Sequence, residues 1–186
     1  MTKDSTDDSR KQLLEQYRSY LLVLARMQLD PGPRNRIETS DVVQQTLLEA
    51  HVNRDQFSGD ETQLAGWLRK ALANNIRDAI RRIRRQKRDV RRERSLEQAI
   101  DESSARLAGC LRADQTSPSQ QAVRQEDLLR LADALMELSD GQRDAVMLHH
   151  LQGWTIGEVA EHLNKTDAAV AGLLHRGLRQ LRKLMT

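Results

Sequence analysis

The stretch from Thr155 to Arg182 constrains this chain more than any other, because it spells out two helices with a tight turn between them. Thr155-Ile156-Gly157-Glu158 has the form of a capping box, in which a Thr hydroxyl and a Glu three residues later satisfy each other's free backbone donors. Ile156, Val159, Ala160 and Leu163 then recur at helical spacing. Asn164 follows, a residue type that tolerates the left-handed conformation of a tight turn. Thr166 is placed to cap a second helix, with Asp167 in its first turn, where the helix dipole favours negative charge. Val170, Leu173, Leu174, Leu178 and Leu181 give that helix a buried stripe. Ala160 is small where two crossing helices must touch. A helix-turn-helix of this kind carries its second helix to the major groove of DNA. A plain helical hairpin inside a bundle is the alternative.

The whole chain reads as all-α. No sustained alternation of apolar and polar residues marks a strand. Aromatics make up only 3% of the 186 residues and prolines number three, while charged residues reach 31%. That length holds one domain or two small ones. The formal net charge is +3, but its distribution says more. From Arg69 to Arg94 there are twelve Lys or Arg against three acids, a local balance of +9. A block of that density faces phosphate or anionic lipid more readily than water alone. A solvated helix extension is the plainer reading of its outer part, Arg81 to Arg94.

Several chemistries find no support. Cys110 is the single cysteine, so there is no intrachain disulfide and no thiol cluster for zinc. His149 and His150 are adjacent, so on a regular helix they point to different sides and make no metal pair. Gly59 has Asp60 and Glu61 beside it, which repel phosphate. No metal, no cofactor and no catalysis are expected of this chain. The first residues are polar, without the apolar core of a signal peptide. The longest apolar run, Tyr20 to Ala25, falls far short of the roughly 20 residues that span a bilayer. No membrane insertion and a cytoplasmic place are therefore expected.

Along the chain, residues 1–10 read as a disordered tail and 11–92 as a first helical domain. Leu13, Tyr17, Tyr20, Leu21, Leu24 and Met27 mark its first helix, closed by Asp30-Pro31-Gly32-Pro33. Ser40 is expected to cap a second helix, with Asp41 in its first turn and Val43, Leu47 and Ala50 on one face. Asn53 to Gln63 reads as a loop. The third helix is the longest: Leu64, Trp67, Leu68, Ala71, Leu72, Asn75, Ile76, Ala79, Ile80 and Ile83 follow the i, i+3, i+4, i+7 rule. Its other faces carry Arg69, Lys70, Arg77, Arg81, Arg84 and Arg85, so one helix both builds a core and displays a basic ridge. Residues 93–124 are rich in Ser, Gln, Asp and Ala and read as a linker, although Leu96, Ile100, Leu107 and Leu111 have the spacing of a short helix. Residues 125–186 form the last domain. Leu128, Leu131, Leu135 and Leu138 begin it, and Ser139-Asp140-Gly141-Gln142 is a second candidate capping box.

In this order and spacing the chain resembles a bacterial RNA polymerase sigma factor of the extracytoplasmic-function group, from about residue 11 to 186. Ser40-Asp41-Val42-Val43-Gln44-Gln45-Thr46 is similar to the family's clamp-docking helix, with Gln45 where Glu is usual. Phe57-Ser58-Gly59-Asp60 through Trp67-Leu68-Arg69 resembles the melting segment. Asn74, Asn75, Asp78 and Arg81-Arg82 fall where the family has its minus-ten helix. Leu174-His175-Arg176 matches the family's Leu-His-Arg that closes the minus-thirty-five segment. Just before it, Ala171-Gly172-Leu173 stand where Lys-Ser-Arg is common, so two basic side chains and a hydroxyl are absent.

The resemblance implies a specificity subunit for transcription initiation. Its partners would be core RNA polymerase, promoter DNA and, by family custom, an anti-sigma factor. Asp41, Gln44, Gln45 and Glu49 would dock on core polymerase. Trp67, Asn74, Arg77, Arg81, Arg84 and Arg85 would meet the minus-ten region, the arginines suiting phosphate contacts that position without reading sequence. Lys165, Thr166, His175, Arg176 and Arg179 would meet the minus-thirty-five element. Structural readings stand beside these: Trp67 and Asn75 lie in register with the core stripe, and Asp41 is also a simple helix-start charge. The rival functions are a helix-turn-helix regulator that binds duplex operators without polymerase, and an enzyme such as a DNA recombinase. The latter has only Ser40 and Tyr17 as candidate nucleophiles, each with a simpler role as cap or core.

Overall fold

A computed structural model describes residues 11–29, 37–53, 61–84, 90–111 and 120–186, with backbone alone at 61–62, 83–84, 90–94 and 120–124. Every regular element among the described residues is helical. The chain divides into two compact units, Met1–Glu102 and Ser103–Thr186.

The first unit packs three helices on one another: α1 (Arg18–Gln28), α2 (Thr39–Val52) and α3 (Glu61–Arg84). A short helical piece, 11–16, precedes α1, and Leu14 is buried. Tyr17 and Tyr20 are fully buried and meet edge to face, centroids 6.2 Å apart. With Leu21, Val23 and Leu24 they are among the large, fully buried side chains of a core that holds few aromatics. Along α3 the burial runs from Leu64 to Ile76 and then stops, since Ala79 and Ile80 are only half-buried. The apolar stripe was expected to hold as far as Ile83, whose side chain lies outside the described residues. A 24-residue helix is about 36 Å long, and the small three-helix core covers only part of it.

One expectation fails here. Ser40 does not cap α2: the helix starts at Thr39 with Glu38 as its N-cap, and the Glu38 carbonyl takes the Asp41 and Val42 amides at 3.1 and 3.4 Å. The stretch read as a linker, with the spacing of a short helix, carries α4 (Val90–Gly109). Ile100 and Leu107 are fully buried on it, so the leucine and isoleucine spacing outweighs the polar composition. Asp101 on α4 takes a 2.6 Å hydrogen bond from Arg69 of α3, and the Ala99 carbonyl accepts from Gln28 of α1 at 3.4 Å.

The second unit holds α5 (Gln120–Glu137), α6 (Asp140–Val146), a π-helical turn (Met147–Leu151), α7 (Ile156–His162) and α8 (Asp167–Leu184). Helix α8 is its centre, packing on α5, α6 and α7. Gly177 makes the closest approach possible: a Cβ there would sit 3.0 Å from Val146 Cγ2 and 3.5 Å from Gln142 Cβ. The capping box expected at Ser139 does not form, because the Ser139 side chain takes no amide. Buried Arg143 serves the junction instead. Its Nη1 donates to the Met136 and Leu138 carbonyls at 3.1 and 3.3 Å, closing α5, and its Nη2 pairs with Asp140 at the start of α6. The π turn draws the His149 and His150 rings to 4.7 Å, against the expectation that they diverge. The Gln152 amide reaching back to the Met147 carbonyl at 3.0 Å marks that wider turn.

Candidate nucleic-acid interface

The helix-turn-helix forms as its sequence requires. The Glu158 amide donates to Thr155 Oγ1 at 3.3 Å, and the Thr155 amide donates to Glu158 Oε2 at 2.7 Å. The Thr155 hydroxyl donates to the same Oε2 at 2.8 Å. The two bonds onto Oε2, the backbone one foremost, hold the Glu158 carboxyl below the usual carboxylate range. Helix α7 ends at Asn164, whose φ of 52° is left-handed. The Lys165 amide then reaches the Ala160 carbonyl at 2.9 Å and the Asn164 amide the Glu161 carbonyl at 3.2 Å. This is the paired closure that normally uses glycine. Thr166 starts α8 by accepting from the Ala169 amide at 3.2 Å. Ahead of the motif, Gly153 has a φ of 78°, which a side chain would strain. His149 Nδ1 lies 2.6 Å from the Trp154 carbonyl, and the Trp154 ring meets His162 edge to face at 5.2 Å. Burial and the neighbouring His149 push the His150 imidazole below its ordinary value.

Around α8, Val170, Leu174, Gly177 and Leu181 face inward. Lys165, Thr166, Ala168, Ala171, His175, Arg176 and Arg179 are all exposed. All five candidate minus-thirty-five residues are therefore open to solvent, and the Thr166 hydroxyl is also a helix cap.

On the first unit, Asp41, Gln44 and Gln45 are exposed on α2, and Glu49 is half-buried. Glu49 has both oxygens engaged: Gln45 Nε2 donates to one at 2.9 Å, and Asn75 Nδ2 of α3 approaches the other at 3.2 Å. Asn75 Nδ2 also lies 3.1 Å from Thr46 Oγ1, whose hydroxyl donates to the Val42 carbonyl at 2.8 Å. Asn75 is thus a brace between α2 and α3. Sequence reasoning missed two neighbours on α2. Leu48 is 55% exposed and Val52 is 70% exposed, the large apolar side chains left in solvent among the described residues. Asp41, Gln45, Leu48 and Val52 stand at i, i+4, i+7 and i+11, one continuous face. Their apolar character on an outward face was the available signal.

On α3, Trp67 is half-buried. Asn74 is exposed and accepts from Arg77 Nη1 at 2.6 Å, and Arg81 pairs with Asp78 at 3.2 Å. The side chain of Arg84 and the whole of Arg85 lie outside the described residues, as do residues 54–60. A cleft of 340 Å³ opens between the start of α2 and the second half of α3. Asp41 and Gln45 line one wall, Asn75, Asp78 and Arg82 the other. Candidate docking residues and the basic helix therefore share one helix pair.

A basic helix on a small helical unit and a capped helix-turn-helix with an exposed cationic face define a DNA-binding protein. Comparison with known proteins makes this specific. The family model described as Sigma-70, region 4 matches residues 128–181. The RNA polymerase sigma factor CnrH of Cupriavidus metallidurans is 31% identical over 149 residues, covering 80% of this chain and 73% of that protein. CarQ of Myxococcus xanthus, also an RNA polymerase sigma factor, is 30% identical over 152 residues, 82% of this chain and 77% of that one. The ECF RNA polymerase sigma factor SigL of Mycobacterium tuberculosis is 27% identical over 145 residues, 78% and 73% respectively. The chain belongs to the RNA polymerase sigma factors of the extracytoplasmic-function group. No helix among the described residues is long and apolar enough to cross a membrane.

Proposed function

We propose that this protein docks on core RNA polymerase through α2, places the basic side of α3 against the minus-ten region, and lays α8 on the minus-thirty-five element. The observation that carries the reading is the outward row Asp41, Gln45, Leu48 and Val52. Two large apolar side chains 55% and 70% exposed, in line with an acid and an amide, suit a protein partner better than water or DNA. Glu49 acts behind that row: its carboxylate holds Gln45 on one side and Asn75 on the other. On α3, Arg77 and Arg81 supply phosphate contacts that fix register, with Arg84 and Arg85 continuing the ridge in sequence. Asn74 and Trp67 are the candidates to meet an unstacked base. Expelling a base costs a few kcal/mol, which polymerase and backbone contacts have to offset. The chain works beside the polymerase, in the cytoplasm, and catalyses nothing itself. An operator-binding regulator acting without polymerase is the weaker reading, since the relatives are sigma factors.

The test is run-off transcription by core polymerase on a promoter library, with and without this protein. Transcripts that need the protein and share a motif are the expected result. Leu48→Asp should abolish them by removing core binding while leaving the fold intact, because the side chain is already in solvent. Duplex DNA shifted by the protein alone, with no transcript and no core binding, would replace this reading with the regulator.

A further inference from the structure

On α8 the Arg176 guanidinium lies over a residue that has no side chain. A Cβ built at Gly172 would stand 3.1 Å from Arg176 Nη1, 3.6 Å from Nη2 and 3.7 Å from Cζ. The three nearest neighbours of that position all belong to this one side chain. The guanidinium thus lies folded back over the residue one turn nearer the start of the helix. Helical side chains lean toward the N-terminus in any case. Here the bare backbone at i−4 lets the arginine lie flat. One turn is about 5.4 Å of rise, so the charge of residue 176 is delivered near the level of residue 172.

That displacement changes what the arginine can reach. A recognition helix meets base edges with its N-terminal residues, and side chains further along it meet the backbone. Helix α8 begins at Asp167, so Arg176 is rooted more than two turns in. Among the described residues its guanidinium has no hydrogen bond or ion pair, so its five donors are uncommitted. Ala168 and Ala171, exposed on neighbouring positions, carry only methyl groups and do not compete for the space.

Resting on the promoter-binding reading above, we infer that Gly172 is a positioning residue that seats the Arg176 guanidinium to read a guanine edge in the major groove. The planar fork matches guanine O6 and N7 with two parallel hydrogen bonds. Arg176 makes the contact, and Gly172 acts only through it.

The experiment uses the full chain with core polymerase on promoters randomised in the upstream element. Arg176→Ala should lose the preference for guanine at one position by roughly tenfold. Gly172→Ala adds a Cβ 3.1 Å from Nη1, which the guanidinium must clear by a few tenths of an ångström, and should relax the same position. Its melting temperature should hold or rise, because alanine is the better helix former. The double variant should discriminate no worse than Arg176→Ala alone, which a separate structural role for Gly172 would not produce. Three results overturn the inference. Gly172→Ala could leave the guanine preference intact. The two single variants could relax different positions. Or Arg176→Ala could weaken all sequences alike and reduce the salt slope by about one, the mark of a phosphate contact. If the unaltered protein gives no polymerase-dependent transcript at all, the promoter-binding reading falls first, and this inference with it.

Discussion

In the second unit, the two helices that frame the turn each begin at a threonine whose hydroxyl accepts a backbone amide, Glu158 for α7 and Ala169 for α8. In the first unit, α2 begins at Glu38 with no side-chain cap and is held from across the fold by Asn75 of α3. The difference teaches how each surface is presented. The candidate DNA face of α8 has its cap and its preceding turn built from residues adjacent to it in sequence. The candidate docking face of α2 is oriented by a side chain 26 to 29 positions away. The first kind of surface survives changes elsewhere in the chain; the second depends on its neighbour.

The largest effect is expected where the second unit too becomes non-local. Gly177→Leu forces a side chain into the 3.0 Å approach to Val146 and should cost about 3 kcal/mol. Hydrogen exchange should show α6 and α8 losing protection while α2 and α3 keep theirs. Loss in both units together would break the separation drawn above. Next comes Asn75→Ala, which strips the amide from Thr46 and Glu49 and should cost about 2 kcal/mol in denaturant unfolding. It should also weaken core-polymerase binding, measured by titration against labelled polymerase. Unchanged binding would mean the α2 face needs no brace.

A local cap is worth less: Thr155→Ala should lower stability by about 1 kcal/mol in the same unfolding assay, with the first unit unaffected. Smallest is the pH response of the second unit. His150 and Glu158 both have folded-state values below their ordinary ones, 6.5 and 4.5. The unfolded chain therefore takes up protons first, so stability is full above each ordinary value and is lost as pH falls through the lowered one. The melting temperature should dip below about pH 6.5 and again below about pH 4.5. His150→Gln should remove the first dip and spare the second; a first dip that persists would assign it to another group.

Which features were legible follows the same division. The box at Thr155, the cap at Thr166 and the left-handed Asn164 were readable because each involves residues no more than five apart. Ser139 carried an equally good local pattern, yet its side chain takes no amide; the side chain that ties that junction together is buried Arg143, on the closing carbonyls of α5 and on Asp140. Helix α4 stood only as the alternative to a plain linker, although Ile100 and Leu107 had the right spacing. The bonds that dock it, Arg69 to Asp101 and Gln28 to Ala99, join residues 32 and 71 positions apart. Among the candidate site residues, the row on α2 was half-seen: Asp41, Gln44 and Gln45 were named, Leu48 and Val52 were not. An apolar residue shows no exposure until its helix has packed. Asn75, in register with the core stripe, is half-buried and bonded to the hydroxyl of Thr46, a partner 29 positions away.

By itself, then, the sequence determined the all-helical class, the helix-turn-helix with its caps, and the concentration of basic charge on the third helix. Periodicity, capping and charge density act over a turn or two of chain, and the residues carry them wherever the chain goes. Only the tertiary structure decided that Leu48 and Val52 face outward, that Asn75 and Glu49 brace one another, and that a glycine at 177 lets two helices touch. Each of these depends on which surfaces meet, and that is settled by packing between segments far apart in sequence.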